Sequence, residues 1–197
     1  MSQNPIAVHF QQSLAALQRA ADDTALLASA SDIAVTIIDA LRSGNKVLLI
    51  GNGGSAADAQ HIASEIVGRY RKERPGYAAI ALTTDTSALT AISNDYGFER
   101  IFARQIESLG RPGDVLLALS TSGRSPNILM ALDAARRLGL VTVGFTGLKG
   151  QSLREVCDRL FVAPSDDTPV IQQIHMTAAH AICDTVEHAL ADGASGT

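Results

Sequence analysis

The chain has no tryptophan and few other aromatics, 4% of its 197 residues. An interior built on large stacked rings is therefore excluded, and the 46% hydrophobic share has to come mainly from Ala, Leu, Ile and Val. There are only two cysteines, Cys157 and Cys183, far apart and without CxxC spacing. That excludes a disulfide scaffold and a thiolate-rich zinc site, and leaves two reduced, buried thiols. Basic charge is also lacking: the formal net charge is −4 and the pI about 5.7. Phosphate-backbone affinity needs a basic field, so no nucleic-acid partner is expected. The opening "MSQNPIAVHF" has no basic or apolar leader region, and no apolar run reads as long enough to span a bilayer. The expectation is a cytoplasmic protein of one domain with no membrane contact.

What the chain does have is alternation. Asn4-Pro5 reads as an N-cap with proline in the first helical turn, followed by Ile6, Phe10, Leu14 and Leu17 at helical spacing. A second helix is predicted over 24–41, with Leu26, Leu27, Ile33, Ile37 and Ile38 on its apolar side and Gly44 in a left-handed position after it. Strands are predicted at 46–50, 77–82, 114–119, 140–145 and 158–163. Helices are predicted near 55–70, 86–94, 98–109, 126–138, 151–157 and 168–190. Such alternation implies right-handed crossovers and a parallel sheet covered on both faces. The two leading helices precede the first strand and should pack outside this core or against another subunit. Residues 192–197 read as a flexible tail.

Ligands of such sheets bind beyond the carboxyl ends of the strands. Here those ends are "GNGGS" (51–55), "TTDTS" (83–87), "STSGRS" (120–125), "TGLKG" (146–150) and "PSDDTP" (164–169). In "STSGRSP" the hydroxyls of Ser120, Thr121, Ser122 and Ser125, a turn at Gly123 and the start of a helix at Pro126 make an anion site that needs few cations. The same stretch also reads as a Ser-rich turn with a helix cap. It is neither a Walker loop, lacking GK[ST], nor a dinucleotide loop, lacking GxGxxG. A phosphate ester without a nucleotide is the expected ligand.

The helix after "GNGGS" carries Asp58, His61 and Glu65, the last two at i and i+4 on one face. On the final helix Gln172, Met176, His180 and Cys183 lie near a common face, while His175 and His188 point elsewhere. Taken singly, His61–Glu65 reads rather as a surface pair and His180 as a satisfied core histidine. Taken together, a carboxylate and an imidazole beside an anchored sugar phosphate are what enediol chemistry requires.

"GNGGSAADAQHIASEIVGRY", "RPGYAAIALTTDTS", "ISNDYGFE", "GRPGDVLLALSTSGRSPNIL" and "DTPVIQQIHMTAAHAICDTVEH" together resemble the sedoheptulose 7-phosphate (phosphoheptose) isomerases of the sugar isomerase, or SIS, family, over nearly the whole chain. The resemblance implies an α/β fold: a flavodoxin-like, three-layer αβα domain with a five-stranded parallel sheet, preceded by two N-terminal helices. It divides the single domain into 1–43, used in oligomerisation, a 44–191 core and the 192–197 tail. It implies conversion of sedoheptulose 7-phosphate to D-glycero-D-manno-heptose 7-phosphate, the first step towards nucleotide-activated heptoses.

By the same resemblance Glu65 and His180 are the acid/base pair. Asn52, Gly53, Gly54, Ser55, Glu65, Arg69, Asn94, Asp95 and Gln172 line the substrate pocket, and Ser120, Thr121, Ser122 and Ser125 hold the phosphate. His61, Glu65, Gln172 and His180 match the ligands of one Zn2+ per subunit in members that carry it. Arg69, in "GRYRKERPGY", reads locally as a solvated charge at a helix end. The resemblance further implies a homotetramer with sites at subunit interfaces. Val170, Gln173 and Gln151 depart from the pattern of the family. A non-catalytic SIS binding protein of the replication-initiator-associating type is the alternative. Such a protein can dispense with the acid and base that this chain has in Glu65 and His180.

Overall fold

The computed structural model describes residues 4–191, so the expected tail at 192–197 lies outside the described residues. Helix α1 (Pro5–Asp22) opens as its sequence implies: the Asn4 side chain accepts from Ile6 N–H at 3.0 Å, with Pro5 in the first turn. Asp23 then caps α2 (Thr24–Arg42) by accepting from the N–H groups of Ala25 and Leu26. Gly44 has a φ of 78°, the left-handed conformation expected of it. The elements that follow are β1 (Val47–Gly51), α3 (Gly54–Val67), β2 (Ala79–Ala81), α4 (Thr86–Tyr96), α5 (Ile101–Leu109), β3 (Val115–Leu119), α6 (Pro126–Arg137), β4 (Val141–Gly147), β5 (Arg159–Ala163) and α7 (Thr168–Ala191).

All strands are parallel, in the order β2-β1-β3-β4-β5. Period-2 alternation sends Val47, Leu49, Leu117 and Phe145 to one face, against α2, α3 and α7, with α1 outside. Leu48, Ile50, Leu116 and Ala118 go to the other, against α5 and α6. Both β1 and β3 are buried throughout, which is why they read as continuous apolar runs rather than alternating ones.

The structure corrects several expectations. The run at 77–82 pairs only over Ala79–Ala81, as an edge strand. The helix predicted at 151–157 is a 3₁₀ stretch, Leu148–Glu155, with Gly150 outside helical geometry. The one predicted at 98–109 is a 3₁₀ turn, Phe98–Arg100, leading into α5. An apolar run of spanning length does exist: α2 has 19 residues and a mean hydropathy of 1.6. Its Ile33, Ala34 and Ile37 are at most 1% exposed within the core, against α7 and β5, and it carries Asp32 and Asp39. It is a core helix, so the expectation that both leading helices stand outside the core fails for α2. Helix α1 reaches the core through Ala16 and packs on α7 and α2, while its Ile6, Phe10 and Leu14 are 68–71% exposed.

One core group titrates at cost. His175 of α7 is fully buried, set edge-on against Phe145 and Phe161. The Thr146 carbonyl can only accept, so Nε2–H donates to it at 3.1 Å and Nδ1 has no partner. Desolvation pulls its pKa from 6.5 down to about 4, against the opposing pull of the Thr146 bond. A depressed histidine contributes stability that is full above the unfolded pKa and lost as pH falls through the window from 6.5 to about 4. At 1.36 kcal/mol per unit the loss is on the order of 3 kcal/mol. Urea titrations of the protein and of His175→Gln across that window check this: the wild-type slope should flatten in the variant, and parallel slopes would contradict the assignment.

Candidate active site

The sheet order places a topological switch point between β1 and β3, where crossovers leave in opposite directions and a crevice opens. A cavity of about 210 Å³ lies there, lined by Asn52, Gly54, Ser55, Ser120, Thr121, Ser122, Ser125, Thr168 and Gln172. No Lys or Arg lines it. Helix starts face it instead: α3, α6 and α7 all begin at or beside its lining residues, where helix dipoles favour an anion. Neither Gly53 before α3 nor Ser125 before α6 caps its own helix with a side-chain bond; the N–H groups of Ser55, Ala56 and Ile128 turn back to the carbonyls of Asn52, Gly53 and Ser125, and Pro126 has none to offer.

Two glycines make this geometry possible. Gly123 has a φ of 64°, and a Cβ on it would lie 2.7 Å from Gly150 Cα, so the loop after β3 closes directly on the loop after β4. A Cβ on Gly54 would lie 2.5 Å from Gln172 Nε2, so glycine there admits the Gln172 amide to the start of α3. Within the loop, Ser120 Oγ accepts from Gly123 N–H at 3.1 Å. The side chains of Asn52 and Asn127 exchange two hydrogen bonds, of 2.9 and 2.8 Å, and lock the loop after β1 to α6.

Glu65, His61 and His180 form a second cluster. His61 Nε2 lies 3.1 Å from Glu65 Oε1 on α3, as their spacing implies. His180 of α7 meets His61 edge-on, with ring centroids 5.2 Å apart. One ligating atom from each of the three lies within 4.8 Å of the others. This group could hold a cation, and it sets a carboxylate across from an imidazole on a different helix. Asp58, one turn before His61, has a buried oxygen without a partner; desolvation raises its pKa, with His61 pulling the other way.

Asn52, Gly54, Ser55, Ser120, Thr121, Ser122, Ser125 and Gln172 thus share one cavity, while His61, Glu65 and His180 form a cluster outside its lining; three further residues belong to neither. Asn94 and Asp95 are exposed on α4 and bond to each other at 2.9 Å. Arg69 is 61% exposed and paired with Glu73 at 3.4 Å. None of the three lines the cavity. Of the departures, Val170 is buried in the core, Gln173 bonds His9 of α1 and Gln151 is exposed. A larger cavity, about 400 Å³ between α1 and the start of α7, is lined by Gln12, Arg19 and Asp166 among others. The sequence reading missed Asn127 and Tyr70. The first is a buried amide in the opening turn of α6. The second stacks on His180 with centroids 5.6 Å apart. A buried amide following Ser-Pro, and the aromatic in "GRYRKERPGY", were the available signals.

Comparison with known proteins gives a consistent picture. The SIS domain family matches residues 9–147. A phosphoheptose isomerase from Bradyrhizobium sp. (strain BTAi1) is 69% identical over 185 residues, covering 94% of this chain and 93% of the relative. The solved phosphoheptose isomerase of Neisseria gonorrhoeae superposes with a TM-score of 0.87 at 41% identity, covering 93% of this chain and 97% of that one. That of Francisella tularensis does so with a TM-score of 0.89 at 37% identity, covering 93% and 96%.

Proposed function

The chain belongs to the SIS family and, within it, to the phosphoheptose isomerases, and from that premise we propose how its residues carry the reaction. It is an aldose–ketose isomerase that converts sedoheptulose 7-phosphate to D-glycero-D-manno-heptose 7-phosphate. The observation that supports the mechanism best is that Glu65 and His180, on different helices, are gathered with His61 so that one ligating atom of each lies within 4.8 Å of the others. A binding-only SIS protein has no need of that pair, and the alternative is not favoured.

The 7-phosphate is received by the α3, α6 and α7 N-termini and by the hydroxyls of Ser120, Thr121, Ser122 and Ser125. Anchoring one end of the sugar converts proton transfer at the other into an intramolecular event. Glu65 removes a proton from C1, and the C–H electrons form the C1–C2 double bond while the C2 carbonyl oxygen takes a proton from His180. His180 then accepts the C1 hydroxyl proton. Glu65 returns its proton to C2 and the C1 carbonyl forms. No proton is gained or lost overall, so one base and one acid suffice.

His61, Glu65 and His180, with the Gln172 amide oxygen as fourth donor, would hold one Zn2+ per subunit. The donor set suits zinc. Ligand bonds of about 2.0–2.2 Å put ligand atoms roughly 3.4 Å apart, and the His61–Glu65 separation of 3.1 Å is already close to that. A bound cation would polarise the substrate carbonyl as a Lewis acid. Metal analysis of protein purified without chelator should find about one zinc per chain, and His61→Ala should lose it. An empty site in metal-replete protein that keeps full activity in excess chelator would reject the assignment.

Asn94, Asp95 and Arg69 are assigned to the site of a neighbouring subunit, in a tetramer held in part by the exposed α1 face. Their exposure and their absence from the cavity within one chain support that reading. The direct test of function is incubation with sedoheptulose 7-phosphate followed by NMR: aldose 7-phosphate should accumulate to equilibrium, and an unchanged ketose would overturn the assignment.

A further inference from the structure

Glu187 is a buried acid that the isomerisation does not use. It sits near the end of α7 and is 1% exposed. Its carboxylate accepts from Tyr70 N–H at 2.8 Å, Arg71 N–H at 2.6 Å, Lys72 N–H at 2.7 Å and Arg74 Nε at 3.1 Å. Burial pushes its pKa up, but the three backbone donors and Arg74 outweigh that and hold it below the usual carboxylate range. The Arg74 side chain is only 3% exposed. Its guanidinium donates to the carbonyls of Glu65 (2.8 Å), Ile66 (3.0 Å) and Gly68 (3.1 Å), the orphan acceptors at the end of α3.

The cluster therefore ties the helix that carries Glu65 to the helix that carries His180. Between them it fixes a segment whose Tyr70 ring lies on the His180 imidazole, 5.6 Å between centroids and 26° from parallel. The Arg71 guanidinium lies over the same Tyr70 ring at 5.0 Å. A buried ion pair is weak evidence for stability, because desolvation offsets most of the attraction. Four donors converging on one carboxylate at a helix junction do, however, specify a geometry.

We propose that Glu187, Arg74 and Tyr70 are positioning residues for the isomerisation: the Glu187–Arg74 clamp sets α3 against α7, and the Tyr70 ring fixes the plane of the His180 imidazole. None of them touches substrate. The inference rests on the isomerase reading above.

The test compares kcat and KM on sedoheptulose 7-phosphate, and the melting temperature, for wild type, Tyr70→Leu, Tyr70→Phe and Glu187→Gln. Misplacing a reacting group by about 1 Å costs on the order of 100-fold. A ring that only orients one partner should cost less. Tyr70→Leu should thus lower kcat roughly 10-fold with KM within about threefold, and Glu187→Gln should lower kcat by ~10–100-fold. Tyr70→Phe keeps the ring and should restore kcat to near wild type. If Glu187→Gln does not fold, the Tyr70 pair decides alone. An unchanged kcat in Tyr70→Leu, a loss that Tyr70→Phe shares, or a rise in KM at constant kcat would overturn the clamp while leaving the isomerase reading intact. A wild-type protein without isomerase activity would overturn both.

Discussion

Glu65→Gln is expected to lower turnover by ~10²–10⁴-fold, the loss typical of a general base, while the fold and the affinity for inorganic phosphate stay within about threefold of wild type. The separation of effects follows from the geometry. Glu65 is on the fourth turn of α3, whereas the switch-point cavity proposed for the phosphate is built at the first turn of that helix and by the loop after β3. A neutral amide preserves shape and can still bond His61, but it cannot take a proton from carbon. Stopped-time NMR of product formation, with phosphate inhibition constants alongside, separates chemistry from binding. Loss of kcat/KM through KM alone would place Glu65 among binding groups.

The second large effect concerns assembly. Ile6, Phe10 and Leu14 stand 68–71% exposed on one side of α1, a row of large apolar side chains that soluble monomers rarely leave open. Covering it with symmetry mates in a closed point group is the simplest resolution. Since Asn94, Asp95 and Arg69 stay away from the cavity of their own chain, each site is expected to be completed across an interface. A Phe10→Glu, Leu14→Glu double variant should therefore run as a folded 20.6 kDa monomer in light scattering coupled to size-exclusion chromatography. Its turnover should fall by about 100-fold or more, the order of loss from misplaced reacting groups. A monomer that retains wild-type turnover would refute the shared site. A variant that remains oligomeric would place the interface elsewhere.

How far the sequence carries this account depends on the range over which each feature is encoded. Local chemistry is legible: Asn4-Pro5 as cap and first turn, Gly44 as left-handed stop, "KVLLI" as a buried strand, and His61–Glu65 as one helical face all appear where their spacing puts them. Features made by distant partners are not. Tyr70 and Glu187 are 117 positions apart, and only the docking of α7 against α3 brings them into a hydrogen bond. Asn127 carries no mark of function until β1 and β3 become neighbours and Asn52 faces it. The place of α2 is not legible in the sequence for the same reason. Precedence over the first strand suggests an outer helix, yet the face of the sheet near β5 has room that the crossover helices alone do not fill, and α2 fills it with Leu26, Ile33 and Ile37. Asn94 and Asp95 illustrate the remaining case: a residue placed at a site by resemblance is not brought there by one chain's fold.

Proton transfer through an enediol, with Glu65 as the base, is tested most directly by solvent exchange. The wild-type protein is taken to equilibrium with sedoheptulose 7-phosphate in D₂O and the sugars are read by NMR. Over repeated turnovers the Glu65 carboxyl proton exchanges with water, so the account predicts deuterium at C2 of the aldose and at C1 of the ketose, and no such label at the same times with Glu65→Gln. Equilibrated sugars free of carbon-bound deuterium would mean that hydrogen moves directly between C1 and C2, and would contradict the account.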